Sequence, residues 1–228
     1  MIPIRDTAPC NTRPYVSWSL ILICSLLFVA LELAPDRIHR YVIFIYGMVP
    51  ARYTNPEWAL AMGYPTDYFL SFISNLFLHG GWVHLLMNMC FIWIFADNVE
   101  DRMGHGRFIV FYLLCGLIAT LVQWVYTPEV VMPVVGASGA IAGVLGAYFF
   151  LYPYAKVVFW VPIFLLPLFF EIPAIAFIGV WVIFQMQKAS TALMFYGGAS
   201  DVALWAHLGG FVAGIALFRF FLRKDYPE

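Results

Sequence analysis

Charge is what this sequence has least of. Lys and Arg number 12 and Asp and Glu 13, together 11% of 228 residues, where a soluble domain carries about 25%. Hydrophobic residues make up 63% against roughly 45–50% in soluble chains, and a soluble globular fold is excluded. The formal net charge of -1 leaves no basic surface to neutralise a phosphate backbone, so no nucleic-acid partner is expected. Cysteine is sparse. Cys10, Cys24, Cys90 and Cys115 lie far apart with no CxxC pair, which excludes a zinc ribbon or a dithiol redox motif and predicts small buried hydrophobes rather than a disulfide framework. The HExxH pattern of a zinc protease is also missing. No metal and no cofactor is expected.

What is present is long apolar runs. A bilayer core of about 30 Å needs roughly 20 apolar helical residues per crossing, and six runs approach that length: Val16 to Leu33, Ser71 to Phe95, Phe108 to Val125, Val134 to Tyr152, Glu171 to Gln185, and Val202 to Phe221. The predicted fold class is an all-α membrane protein, a bundle of six transmembrane helices forming a single polytopic domain over 1–228. It has a short cytoplasmic segment at 1–14 and a core at about 15–222. Pro162 and Pro167 interrupt the apolar stretch before the fifth run, which predicts a hydrophobic loop over 157–170 and a helix starting near Ile172. The first run follows Arg5 and Arg13, lacks a small-residue cleavage site and ends in Glu32, so it is read as a retained span rather than a signal peptide. Six crossings put both termini on one side. With the termini in the cytoplasm, Arg5, Arg13, Arg102, Arg107, Lys156, Arg219, Arg223 and Lys224 lie inside and Arg37, Arg40, Arg52 and Lys188 outside. Eight against four favours that orientation. The connection from Pro35 to Leu70 is then external, and its Tyr53, Trp58, Tyr64 and Tyr68 suit the membrane interface.

Polar groups within hydrocarbon are functional hypotheses by default. Four stand out: His84 and Asn88 in the second run, Ser138 in the fourth and His207 in the sixth. At about 1.5 Å rise per residue, counted from the cytoplasmic ends, all four fall about 14 to 21 Å up, in one layer. Small residues support their meeting: Ser138, Ala142 and Gly146 form one stripe, and Ala203, His207, Gly210 and Gly214 another. Such faces let helix backbones approach closely. A serine hydroxyl within reach of an imidazole is a nucleophile with its general base. Gly136 and Gly139 flank Ser138 and are expected to leave room for a substrate carbonyl, while the helix start offers free amides to an oxyanion. His84 and Asn88, spaced i, i+4, share a face from which their donors can complete that oxyanion hole. Asp201, six residues before His207, lies about 240° around the helix from it. A Ser/His dyad is therefore expected, not a triad.

Four segments carry a family resemblance: HGGWVHLLMN from His79 to Asn88, DNVEDRMGHGRF from Asp97 to Phe108, GASGAIAG from Gly136 to Gly143, and AHLGGFVAG from Ala206 to Gly214. Together they resemble the rhomboid family of intramembrane serine proteases over nearly the whole six-helix core. The resemblance implies Ser138 as nucleophile and His207 as base, with Asn88, His84 and the Ser138 amide holding the oxyanion. It also implies a structural role for Glu100 and Gly104 in an ordered loop after the second helix, and a membrane-embedded first external loop over Pro35 to Leu70. The sequence departs from the family in having no alignable Trp-Arg pair in that loop. It also carries Ala142 where some members place an aromatic that stacks on the base. The implied partners are transmembrane protein substrates and membrane lipids, and the expected setting is a prokaryotic plasma membrane. Two other readings compete. A bis-His membrane cytochrome could ligate haem through His84 and His207 but leaves Ser138 and Asn88 unexplained, and an inactive rhomboid-like binder has no need of both Ser138 and His207.

Overall fold

The computed structural model describes residues 2–65, 69–163, 166–196, 203–224 and 226. Tyr68, Asp201 and Val202, singled out above, lie outside the described residues. The chain opens with strand β1 (Ile2–Asp6) and a long helix α1 (Tyr15–Leu33), followed by α2 (Asp36–Tyr46) and the short helices α3 (Pro50–Thr54), α4 (Pro56–Ala61) and α5 (Ser71–Ser74). A 3-10 turn at Asn75–Phe77 leads to α6 (Trp82–Phe91), which continues through a π-helical turn at Ile92–Ala96 into α7 (Asp97–Met103). Then come α8 (His105–Tyr126), α9 (Ser138–Leu151), the hairpin β2 (Lys156–Ile163) and β3 (Leu166–Pro173), α10 (Ala174–Tyr196) and α11 (Leu204–Phe221). Four helical stretches, α1, the continuous Trp82–Met103, α8 and α11, are long and apolar enough to cross a membrane, and α9 and Ala174–Lys188 of α10 are shorter apolar helices. Each of the six apolar runs overlaps one of these. The chain is a multi-pass helical membrane protein.

The exterior is oily and the interior small. Helix α1 buries only Ser17, Leu20, Cys24 and Phe28 and leaves Leu22, Ile23, Leu26, Leu27 and Val29 exposed, a surface matched to lipid tails. Helix α9 is the opposite: every residue from Gly139 to Tyr148 is buried. It sits between α8 and α11 because glycines let the backbones touch. A Cβ added at Gly210 or Gly214 would lie 2.0 Å from the carbonyl oxygens of Gly139 and Gly143, and one at Gly146 would lie 2.4 Å from that of Phe211. The α9 side of this contact thus runs Gly139, Gly143 and Gly146, one residue over from the expected Ser138 and Ala142 stripe.

Three expectations need correction. The second run is not one helix from Ser71: the chain leaves the 3-10 turn at Leu78, passes Gly80 and Gly81, and the spanning helix starts at Trp82. It then continues to Met103, so the segment from Asp97, expected as a loop, is helical up to Gly104, which ends it at φ 78°. Helical geometry holds there because Glu100 is fully buried and caps a distant helix. Its carboxylate accepts from the Val16 and Ser17 amides at 2.9 and 2.8 Å and from the Ser17 hydroxyl at 2.7 Å, satisfying first-turn donors of α1 that Pro14 cannot serve. His105 Nδ1 lies 2.6 Å from the same carboxylate.

The third correction is the hydrophobic loop at 157–170, which is a hairpin. Strand β2 pairs antiparallel with β3 and, on its other side, with β1, giving the order β1-β2-β3. The prolines do not break it because Pro162 stands directly opposite Pro167, so one pair of positions takes both missing donors. Among the described residues the β1 pairing ends at Trp160, so no described neighbour needs an amide from Pro162. The helix after it begins at Ala174, two residues beyond Ile172.

The first loop is ordered by a buried cation. Arg52, counted above as an external charge, is 3% exposed and donates to the Pro65 carbonyl at 3.2 and 2.8 Å and to the Ile45 carbonyl at 3.2 Å. Its guanidinium lies over the Tyr64 ring at 5.3 Å. Met48 in this loop exchanges two backbone hydrogen bonds with Val134, at 3.0 and 2.7 Å, and so fixes the approach to α9.

Candidate active site

Ser138 is the first residue of α9. Its amide and those of Gly139 and Ala140 precede the first intrahelical bond, which runs from the Ile141 amide to the Ala137 carbonyl at 3.0 Å, and they form the donor-rich end of the helix. The approach is set by Gly136, held at φ 134° with its amide donating to the Asn75 carbonyl at 2.9 Å. A Cβ there would stand 2.7 Å from Nε2 of His84 and 3.6 Å from the Ser138 hydroxyl. Only glycine fits, in backbone conformation and in space, between those two side chains.

His207 lies one turn inside α11 and is 8% exposed. Its Nε2 is 2.8 Å from Ser138 Oγ, across 69 residues of sequence. The start of α11 is fixed from α8. Its N-cap Ala203 has no side-chain acceptor, and Gln123 Oε1 instead accepts the Ala206 amide at 3.1 Å. Gln123 is itself held by its Nε2 donating to Thr127 Oγ1 at 3.0 Å. On the other side of the imidazole, Gln185 Oε1 on α10 is 3.2 Å from Nδ1, and the Trp181 ring lies 5.9 Å from the His207 ring, tilted by 41°.

The structure therefore brings Ser138 and His207 into hydrogen-bond contact and sets His84 against Gly136 beside them. Asn88, one turn along α6 from His84, is 6% exposed and its Nδ2 donor has no partner among the described residues. His79 packs edge-on to His84 at 5.3 Å. Gly139, expected above to leave room for a substrate carbonyl, packs against α8. A Cβ there would meet the Ala119 Cβ at 2.7 Å, while Gly210 and Gly214 hold α11 against α9. Sequence reasoning missed Asn75, Gln123, Trp181 and Gln185. Three of the four are polar residues at or within apolar runs, and that signal could have found them.

The sequence matches the family described as Rhomboid domain over residues 66–224. It is 32% identical over 161 residues to "Rhomboid protein 1, mitochondrial" of Saccharomyces cerevisiae, covering 68% of this chain and 42% of the relative. Identity to "Rhomboid protease GluP" of Bacillus subtilis is 31% over 127 residues, 53% of this chain and 23% of the relative. To "Rhomboid-like protein 11, chloroplastic" of Arabidopsis thaliana it is 31% over 167 residues, 69% and 53%. The matches thus span about half or less of each relative's length.

Proposed function

The chain belongs to the rhomboid family, and from that premise we propose that it is a serine endopeptidase that cleaves transmembrane protein substrates within the membrane through Ser138 and His207. The contact of 2.8 Å between Ser138 Oγ and His207 Nε2 carries the reading. In the first half-reaction Oγ attacks the scissile carbonyl carbon as its proton passes to Nε2. The resulting oxyanion is received by the Ser138 amide at the start of α9, by Asn88 and by His84. Collapse of this intermediate breaks the C–N bond, and His207 returns the proton to the leaving amine. Water, deprotonated by the same imidazole, then hydrolyses the ester. A helical substrate hides its carbonyls in its own hydrogen bonds, and freeing them in lipid costs several kcal/mol per unsatisfied group, so the substrate unwinds locally before attack. The cut falls near the outer membrane boundary, where water can reach the site, with the termini of the chain in the cytoplasm. The relatives come from a bacterium, a mitochondrion and a chloroplast, and the charge distribution speaks to this orientation rather than to the compartment.

The test is cleavage of a panel of single-span membrane proteins by the purified protein, together with labelling by a serine-directed fluorophosphonate. Ser138→Ala and His207→Ala should each abolish cleavage, because nucleophile and base act as a unit, and both variants should keep the wild-type helical signal. Near wild-type turnover in either variant sinks the dyad. Absence of both cleavage and labelling in the wild-type protein would favour a binder without activity.

A further inference from the structure

The dyad leaves one nitrogen of its base unexplained. If Nε2 of His207 accepts the serine proton, the neutral ring must carry its hydrogen on Nδ1, and a buried N–H needs an acceptor. The Ala203 carbonyl, one turn back, already accepts the His207 amide at 3.2 Å. Among the described residues, the side-chain group that meets Nδ1 is Gln185 Oε1 on α10, at 3.2 Å. We propose that Gln185 is the positioning residue of the base: it accepts the Nδ1 hydrogen of His207 and so locks the tautomer whose Nε2 lone pair faces Ser138.

This rests on the proteolytic reading above and adds to it a third member that sequence reasoning left out when it turned away from Asp201. Gln185 and Trp181 are four residues apart on α10 and so share one face. The amide holds one edge of the imidazole while the Trp181 ring, 5.9 Å away, limits its swing. The orientation of the Gln185 amide decides the outcome. With its NH2 toward Nδ1, the ring hydrogen would move to Nε2, point at Ser138 and block proton abstraction. An uncharged acceptor sets orientation and tautomer but does not neutralise the imidazolium that forms during attack. A carboxylate at the same reach would do both.

The test compares wild-type protein with Gln185→Leu and Gln185→Met, which keep bulk and remove the acceptor, and with Gln185→Glu, which keeps it. Ring nitrogens are read by NMR after 15N-histidine labelling, with His207→Ala to assign the signal, beside kcat, KM and fluorophosphonate labelling of Ser138. The expected result is a His207 ring protonated at Nδ1 in the wild type and a tautomer mixture in the Leu and Met variants. Their kcat should fall about 10- to 100-fold, since a misplaced tautomer disables a general base, with KM within about twofold and unchanged melting temperature. Gln185→Glu should restore turnover. Having two non-accepting variants means that one failing to fold leaves the other to decide. An unchanged tautomer or an unchanged kcat in the folded variants overturns the positioning role alone, with Ser138 still labelled. A wild-type protein in which Ser138 is not labelled overturns the proteolytic reading, and this role with it.

Discussion

Among the described residues, the Asn88 amide donor finds no acceptor. A buried polar group left unpaired costs about 1–3 kcal/mol, and Nδ2 of Asn88 lies in that condition among the described residues, one turn from the His84 imidazole that lies against Gly136. Such a donor suits an acceptor that exists only during the reaction. Asn88→Ala should therefore lower kcat by about 10²–10³, the usual effect of losing one oxyanion donor, while KM and melting temperature hold or the latter rises slightly. A steady-state comparison with a thermal melt checks both halves. Unchanged kcat with a lowered melting temperature would make Asn88 structural. At this scale the sequence made much legible: Ser138, His207, His84 and Asn88 are polar residues in oily surroundings, and their types name a chemistry. Gln123 and Gln185 carry the same polarity, but an amide names no chemistry alone. Its role comes from a partner, and the Ala206 amide that Gln123 caps is 83 residues away.

Between elements, the contact that brings Ser138 to His207 is backbone against backbone. Because α9 and α11 touch where Gly143 meets Gly214, a single methyl there has no space to enter and the helices must separate. Replacing Gly by Ala inside a helix is worth up to about 1 kcal/mol in propensity, whereas overpacking a tight contact costs about 1–3 kcal/mol, so packing decides the sign. Gly214→Ala should lower the melting temperature and slow fluorophosphonate labelling of Ser138. Gly179→Ala on α10, where an added Cβ meets nothing within 4 Å, should raise the melting temperature slightly. Equal shifts in the two variants, read by melts in the same detergent, would show that the α9–α11 contact is not limiting. The glycine periodicity made this contact legible, though off by one residue on α9, because spacing gives a stripe and not its phase. The hairpin was not legible. Proline reads as a breaker along one strand, and only the register across two strands shows that Pro162 and Pro167 share one position.

For the molecule as a whole, the structure gathers most of the positive residues counted as internal at one end. Arg5 pairs with Val158 in the sheet that holds Lys156, the Arg223 amide donates to the Arg102 carbonyl at 3.0 Å, and Arg107 donates to the Leu222 carbonyl at 2.9 Å. Asn11, Thr12 and Tyr226 all bond Asp101 at that end. The run count read from sequence anticipates this clustering, but the sheet that ties the first residues to the β2–β3 hairpin is a pairing across about 150 positions and leaves no local mark. In the orientation proposed above, this cluster of Arg and Lys faces the cytoplasm, with Cys10 inside and the loop bearing Glu57 outside. The four cysteines are free and only Cys10 is exposed, so thiol labelling can read the sidedness. On intact cells, a membrane-impermeant maleimide should label a Glu57→Cys variant and spare Cys10, which should react only after permeabilisation. Burial and the nearby Asp97 and Asp101 push the Cys10 thiol up to about 11. Since the thiolate is the reactive species, its labelling after permeabilisation should be slow at pH 7 and quicken about tenfold per pH unit up to pH 9. Labelling of Cys10 from outside intact cells, with position 57 protected, would invert the topology. It would also place Ser138 and His207 nearest the cytoplasmic face, and water and substrate would then have to enter from there.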